Sequence, residues 1–296
     1  MSGDPQPVGI VGIGLIGLAL ARRLISAGFG VVGYDVDASR MDALREIGGV
    51  PADSLAEVGA RCGRILLAVF DTAQVEAALE GPDGLAVSPH EGPAPLFVSV
   101  STCDPDRIAA LGDRLAHRGV TLLECPLSGT SDQVARGDGV GLVAGDEVKV
   151  AEIEDILAAI CKRHYFIGAL GNGNRAKLAV NLILGLNRAA LAEGLVFAER
   201  LGLPLTPFLE VAKGSAAYSQ IMDVKGARMI AADFEPHGKI AQSYKDFSLM
   251  LKGARELGQA LPLGTVYAEL MKGCLAAGEG DLDNSAVIAE IRRRRL

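Results

Sequence analysis

Tryptophan is absent from this 296-residue chain, and aromatic residues make up only 4% of it. That scarcity disfavours an all-β sandwich with an aromatic core. Cysteine is sparse too: Cys62, Cys103, Cys125, Cys161 and Cys274 form no CxxC pair, and an odd count leaves at least one unpaired. A reducing, cytoplasmic location is expected. Basic charge is in deficit, with Lys+Arg 29 against Asp+Glu 36 and a net charge of −7. Nucleic acid and anionic membrane surfaces are therefore not expected partners. The one basic run, Arg292 to Arg295, reads as a solvated tail or a helix end favoured by the dipole. No uninterrupted apolar stretch reaches the roughly 18 residues of a membrane span. The opening MSGDPQPVGI has neither the basic nor the apolar part of a leader. His90, His117, His164 and His237 make no HxxxH pair, and no metal site is expected.

What is present is apolar and glycine-rich: 49% hydrophobic residues and 37 glycines, enough for two domains with sizeable cores. From Val8 the chain reads VGIVGIG and then LIGLALARRLISAG, a short buried strand, a tight turn and a helix. A second strand at Val31 to Asp37 and a helix from an Ser39 N-cap to Glu46 complete one βαβ unit. Apolar runs at 64–70, 96–101, 120–126, 140–145 and 163–169 continue the alternation. The expected class is α/β, with a Rossmann-type doubly wound parallel sheet domain over 1–167. Beyond Gly173 no strand pattern remains. A helix over 175–201 is predicted, then helices over 205–213, 219–230, 241–257, 262–277 and 285–294. An all-α domain over 168–296, begun by a long interdomain helix, is the expectation.

Gly12-Ile13-Gly14-Leu15-Ile16-Gly17 matches GxGxxG between a strand and a helix, where backbone N–H groups and the helix dipole can hold a pyrophosphate. Asp35 ends the next strand, positioned to accept hydrogen bonds from a ribose diol and to repel a 2′-phosphate. NAD is thus preferred, with NADP possible because Arg40 is near in sequence.

Ser128-Gly129-Thr130 follows a strand at the carboxyl edge of the expected sheet. It offers one hydroxyl and two N–H groups to a substrate carboxylate. Further on, Gly168, Gly171 and Gly173 loosen the chain before Lys177 and Asn181 enter the long helix. Four residues span about 6 Å of rise and 40° of turn, so both side chains point to one side. Arg188 lies near the same face, but about 16 Å along the axis places it too far to clamp a small substrate held at Lys177. Cys125 beside the substrate loop lacks a His–Asp partnership and reads as small-residue packing.

In these blocks, taken together, the chain resembles the β-hydroxyacid dehydrogenase family, which includes 3-hydroxyisobutyrate dehydrogenase and belongs to the 6-phosphogluconate dehydrogenase superfamily. Gly12 to Gly17 matches the family's glycine turn, Glu124 to Thr130 its DAPVSGG-like block and Gly168 through Asn181 its GxxGxGxxxKxxxN block. Lys245-Asp246-Phe247 matches its KDL-like block and Ser101-Thr102-Cys103-Asp104-Pro105 its STxxP-like segment. The resemblance implies hydride transfer between a nicotinamide cofactor and a small β-hydroxy acid or semialdehyde, with Lys177 as general acid–base and Asn181 orienting it. It adds Ser101 to the substrate contacts, and Val69, Phe70, Thr102 and Lys245 to the cofactor contacts. It also implies a homodimer or homotetramer. Glu124, Cys125, Thr130, Phe247 and Val69-Phe70-Asp71 depart from the family pattern, which puts the substrate in doubt. An imine reductase-like enzyme and a non-catalytic dinucleotide-binding regulator are the alternatives.

Overall fold

A computed structural model describes residues 6–87 and 95–294. The first five residues, His90 and Arg295, on which parts of the reading above fall, lie outside the described residues. The chain divides into two compact units, Met1–Lys177 and Leu178–Leu296, against the 167/168 boundary read from the sequence.

In the first unit, β1 (Val8–Val11), β2 (Val31–Tyr34), β3 (Val50–Pro51), β4 (Arg64–Leu67), β5 (Leu96–Ser99) and β6 (Thr121–Glu124) form a parallel sheet. Its order is β3-β2-β1-β4-β5-β6, the doubly wound arrangement, with the chain reversing direction across the sheet between β1 and β4. The helices that return the chain are α1 (Leu15–Ser26), α2 (Ala38–Glu46), α3 (Leu55–Arg61), α4 (Thr72–Glu80) and α5 (Pro105–Ala116). Successive side chains of a strand point to opposite faces. Thus Leu96 and Val98 join the core that holds Leu20 and Leu24 of α1, while Phe97 joins the one that holds Ile108 and Leu111 of α5. Burial on both faces is why these strands read as continuous apolar runs.

The rest of the unit departs from one continuous sheet. β7 (Leu127–Ser128), β8 (Val140–Val143) and β9 (Arg163–Phe166) make a separate three-stranded sheet in the order β7-β8-β9, with β7 antiparallel to β8. Between them lie α6 (Ser131–Ala135), α7 (Glu147–Ala151) and α8 (Glu154–Ile160). A single antiparallel bridge, Glu124 to Ala144, links the two sheets. The two-residue strands β3 and β7 are too short to carry a periodic signal. One cap also differs from expectation. Asp37, not Ser39, caps α2, and its carboxylate accepts from the Ser39 N–H at 2.9 Å.

α9 (Asn172–Arg200) leads into a unit whose regular elements, among the described residues, are helices apart from one isolated bridge. That unit comprises α10 (Leu205–Lys213), α11 (Ala227–Ala231), α12 (Ile240–Glu256), α13 (Pro262–Ala276) and α14 (Val287–Arg293). A π-helical turn, Met222–Gly226, runs into α11, and a 3-10 turn, Asn284–Ala286, into α14. Among the described residues α9 is the one helix long and apolar enough to cross a membrane. Its Leu191, Ala192 and Leu195 are buried in the core of the second unit.

Candidate active site

Because six strands run parallel, their carboxyl ends lie along one edge, and the loops leaving β1, β2, β4, β5 and β6 all begin there. Gly12, at φ +90°, makes the turn after β1, and a Cβ there would stand 2.7 Å from the Ala68 carbonyl oxygen in the loop after β4. At Gly17 a Cβ would lie 1.9 Å from the Gly12 oxygen. At Gly14 it would meet nothing within 4 Å. Two glycines are therefore required by the fold itself, and the middle one opens onto space.

That space lies at the start of α1, whose N-cap is Gly14 and which has no side-chain cap. Helices α2 to α7 are each capped by a side chain, from Asp37, Ser54, Asp71, Asp104, Thr130 and Asp146. An uncapped N-terminus with its dipole and N–H groups presented beside an open glycine fits a pyrophosphate. Asp35 fixes the turn from the neighbouring strand end: one carboxylate oxygen accepts from the Ile13 N–H at 2.6 Å, the other from the Asp37 N–H at 2.9 Å. Each oxygen keeps a further lone pair for a diol. Arg40 leans to Asp37 at 3.8 Å, and Val36 between the two acids is 92% exposed.

After β4, Val69 is half-buried and Phe70 exposed. After β5, the buried Ser101 donates its hydroxyl to the carbonyls of Val69 at 2.7 Å and Leu67 at 3.2 Å. It thereby fixes the Val69 segment and keeps its oxygen as an acceptor. Thr102 is buried beside it. In the substrate block Ser128 and Gly129 are half-buried at the start of the loop. Thr130 differs from expectation. Its N–H donates to Gln133 Oε1 at 2.8 Å and its hydroxyl accepts from the Gln133 N–H, a capping box on α6. Its N–H is engaged in that box, not offered to a carboxylate.

Glu124, the last residue of β6, does more than the sequence shows. It is fully buried, and its carboxylate accepts from the Gly171 N–H, from the Asn174 N–H at 3.2 Å and from Asn174 Nδ2 at 2.5 Å. Asn174 Oδ1 in turn accepts from the Cys103 N–H at 2.7 Å. Burial pushes the Glu124 carboxyl above its ordinary value, and the N–H donors around it pull the other way. This cluster fixes the first turn of α9 at the carboxyl edge, next to the β5 loop. It explains why the first unit extends to Lys177, which is itself buried at 7% exposure.

One helical turn further along α9, in the second unit, Asn181 Nδ2 donates to Asp246 Oδ2 at 2.9 Å. Lys245 Nζ stands 3.1 Å from Asp246 Oδ1. Asp246 thus fixes which way the Asn181 amide faces, and Asn181 Oδ1 is left buried without a partner. Asp246 lies in the KDL-like block, where the sequence alone marks only its neighbour Lys245 as a site residue. Its burial at 5% exposure in an amphipathic helix is visible only in the fold. Phe247, a departure from the family pattern, is a packing residue. Its ring lies 4.4 Å from that of Tyr267 and fills the space left by Gly185. Arg188 turns inward and donates to the Tyr267 hydroxyl at 2.6 Å.

Comparison with known proteins gives the class first. Residues 7–168 match the family model for the NAD binding domain of 6-phosphogluconate dehydrogenase. Residues 171–291 match the one for the NAD-binding of NADP-dependent 3-hydroxyisobutyrate dehydrogenase. The chain is a nicotinamide-dependent oxidoreductase acting on CH–OH groups. The L-threonate dehydrogenase of Cupriavidus necator is 32% identical over 95% of this chain and 94% of its own length. The 2-hydroxy-3-oxopropionate reductase of Escherichia coli is 30% identical over 95% of each. A 3-hydroxyisobutyrate dehydrogenase structure from Salmonella typhimurium superposes with a TM-score of 0.88 at 26% identity, covering 96% of this chain and 99% of that one. The chain belongs to the β-hydroxyacid dehydrogenase family, within the 6-phosphogluconate dehydrogenase superfamily.

Proposed function

We propose that Lys177 is the general acid–base of a reaction that interconverts a small β-hydroxy acid and its semialdehyde, with NAD as the preferred cofactor. The observation that carries this reading is a buried lysine on a helix start that Glu124 pins to the edge where the dinucleotide cradle opens. When bound, the nicotinamide supplies the hydride acceptor or donor. Lys177 takes the hydroxyl proton on oxidation and returns it on reduction. Asn181, its amide fixed by Asp246, orients Lys177 or the substrate in this reading. Ser128 and the Gly129 N–H hold the substrate carboxylate, and Ser101 contributes an acceptor. Gly12, Gly14, Leu15, Ile16 and Gly17 hold the pyrophosphate, Asp35 the ribose, and Val69, Phe70, Thr102 and Lys245 the nicotinamide half.

NAD preference rests on Asp35 and Asp37 flanking an uncharged Val36, with Arg40 already drawn to Asp37. The similarity to enzymes named for L-threonate, 2-hydroxy-3-oxopropionate and 3-hydroxyisobutyrate supports a substrate with a carboxylate and a hydroxyl or carbonyl. On α9, Val180, Ile183 and Phe197 are exposed and fall within about 100° of one another around the axis. A second copy of this chain is the proposed cover, giving a homodimer or homotetramer, which light scattering tests. Neither nucleic acid nor membrane is a partner in this reading. A cytoplasmic location accords with five free cysteines.

The test is Lys177→Ala assayed with a panel of hydroxy acids and both dinucleotides. kcat should fall about a hundredfold or more while dinucleotide affinity by calorimetry is retained. Near-normal turnover would remove Lys177 from the chemistry.

A further inference from the structure

Cys125 directly follows β6 and leads into the substrate loop, while Cys161 caps the carboxyl end of α8. They are far apart in the chain, yet both are buried, at 0% and 1% exposure, in one core. The Cys161 thiol donates to the Leu157 carbonyl at 3.4 Å. Gly141 of β8 lets the two sulfurs meet, since a Cβ there would stand 3.0 Å from each Sγ. Gly141 also pairs with Leu127 of β7, the residue before Ser128. The two sulfurs therefore converge against the small sheet that carries the substrate loop.

We infer that Cys125 and Cys161 form a two-electron modification site, closed to a disulfide by oxidants of the peroxide class and reopened by dithiols. Cys161 is the attacking sulfur: the neighbouring Cys125 thiol holds it below the usual thiol range, while Cys125 itself is held well above it. Its thiolate breaks the peroxide O–O bond, giving a Cys161 sulfenic acid and releasing one hydroxyl as water. Cys125 then attacks that sulfur, its proton leaving with the displaced hydroxide as a second water. Two thiols and one hydrogen peroxide give one disulfide and two waters. Cys62 and Cys274 provide the contrast, because burial pushes each of their thiols up to about 12, where the thiolate is scarce.

A disulfide bond of about 2.05 Å is much shorter than any non-bonded contact between two sulfurs, so closure draws Cys125 toward α8. Cys125 is tied through its N–H to the Ser99 carbonyl at 2.8 Å, and the Leu142 N–H binds the Pro126 carbonyl at 3.1 Å. The pull is passed along this backbone to Ser128 and Gly129. Burial makes attack wait for local opening, so oxidation is slower than that of an exposed thiol.

The full chain is exposed to excess hydrogen peroxide over a time course, alkylated under denaturing conditions and mapped by mass spectrometry. A Cys125–Cys161 cross-linked peptide is expected, lost after dithiothreitol, with Cys62 and Cys274 alkylated throughout. Cys161→Ala and Cys161→Ser should each leave Cys125 alkylatable. Hydrogen exchange of the amides at 127–130 should change in the oxidised wild type and not in peroxide-treated Cys161→Ala. Recovery of Cys125 and Cys161 as thiols, as sulfinic acids or in any other pairing at the end of the course overturns the site. Unchanged exchange in a cross-linked protein overturns its coupling to the loop. Neither readout uses turnover, so both stand apart from the role given to Lys177.

Discussion

Each unit buries a carboxylate completely, and the two are answered in opposite ways. Glu124 in the first unit is met by N–H donors and no cation, and burial pushes its pKa up. Asp283 in the second is met by Lys225 Nζ at 2.7 Å and, further off, by Arg228 Nη1 at 3.7 Å, with the Ser285 hydroxyl and N–H and the His237 N–H also donating. Lys225 and these donors hold Asp283 at about 2 against the cost of burial. Burial also pulls Lys225 down to about 8. The difference separates two jobs. Asp283 is a structural anchor whose charge is neutralised in place. Glu124 instead joins, through N–H donors, segments that carry site residues.

The sharpest break of this comparison is to take away the cation. Lys225→Ala removes the closer of the two cations at Asp283, leaving Arg228 Nη1 at 3.7 Å, and about 3 kcal/mol of stability should be lost in urea unfolding. Asp283→Asn in that background should restore part of the loss. If Lys225→Ala alone is as stable as wild type, the anchor role is wrong. Glu124→Gln is milder, since one amide group would face N–H donors and about 1–3 kcal/mol should be lost. It should also lower kcat, because the first turn of α9 is no longer fixed. A loss of stability with an unchanged kcat would make Glu124 a mere core residue.

Acid offers a smaller test of the same contrast. Asp283 has its folded value, about 2, below its ordinary 3.8, so its contribution is complete above 3.8 and is lost as pH falls toward 2. For Glu124 the folded value is raised above 4.5. The folded chain therefore holds a proton that the unfolded chain releases, and stability rises as pH falls through that window toward 4.5. Thermal midpoints across pH should show the first slope flattened by Asp283→Asn and the second by Glu124→Gln. Identical slopes in wild type and variants would count against both assignments. The smallest expected effect lies outside both acids: Asp37→Ala should cost about 1 kcal/mol in urea unfolding through the α2 cap.

The alternation of strands and helices, the glycine turn and the placing of Lys177 and Asn181 one turn apart were legible along the chain. Each depends on neighbours within a few residues, through strand and helix periods, a tight turn or a cap. The cap of α2 was misplaced by two residues because Asp37 and Ser39 carry similar local signals. The separate small sheet went unread because β7 is two residues long.

The sequence by itself thus determined the fold class and the family. Tertiary structure alone decided that Glu124, Asn174 and Cys103 form one linkage across 50 to 71 positions. It also decided that Asp246 orients Asn181, that Thr130 is committed to its own helix, and that Cys125 meets Cys161. A buried polar group must find a partner wherever the fold brings one, and a partner that distant leaves no periodic trace in the chain.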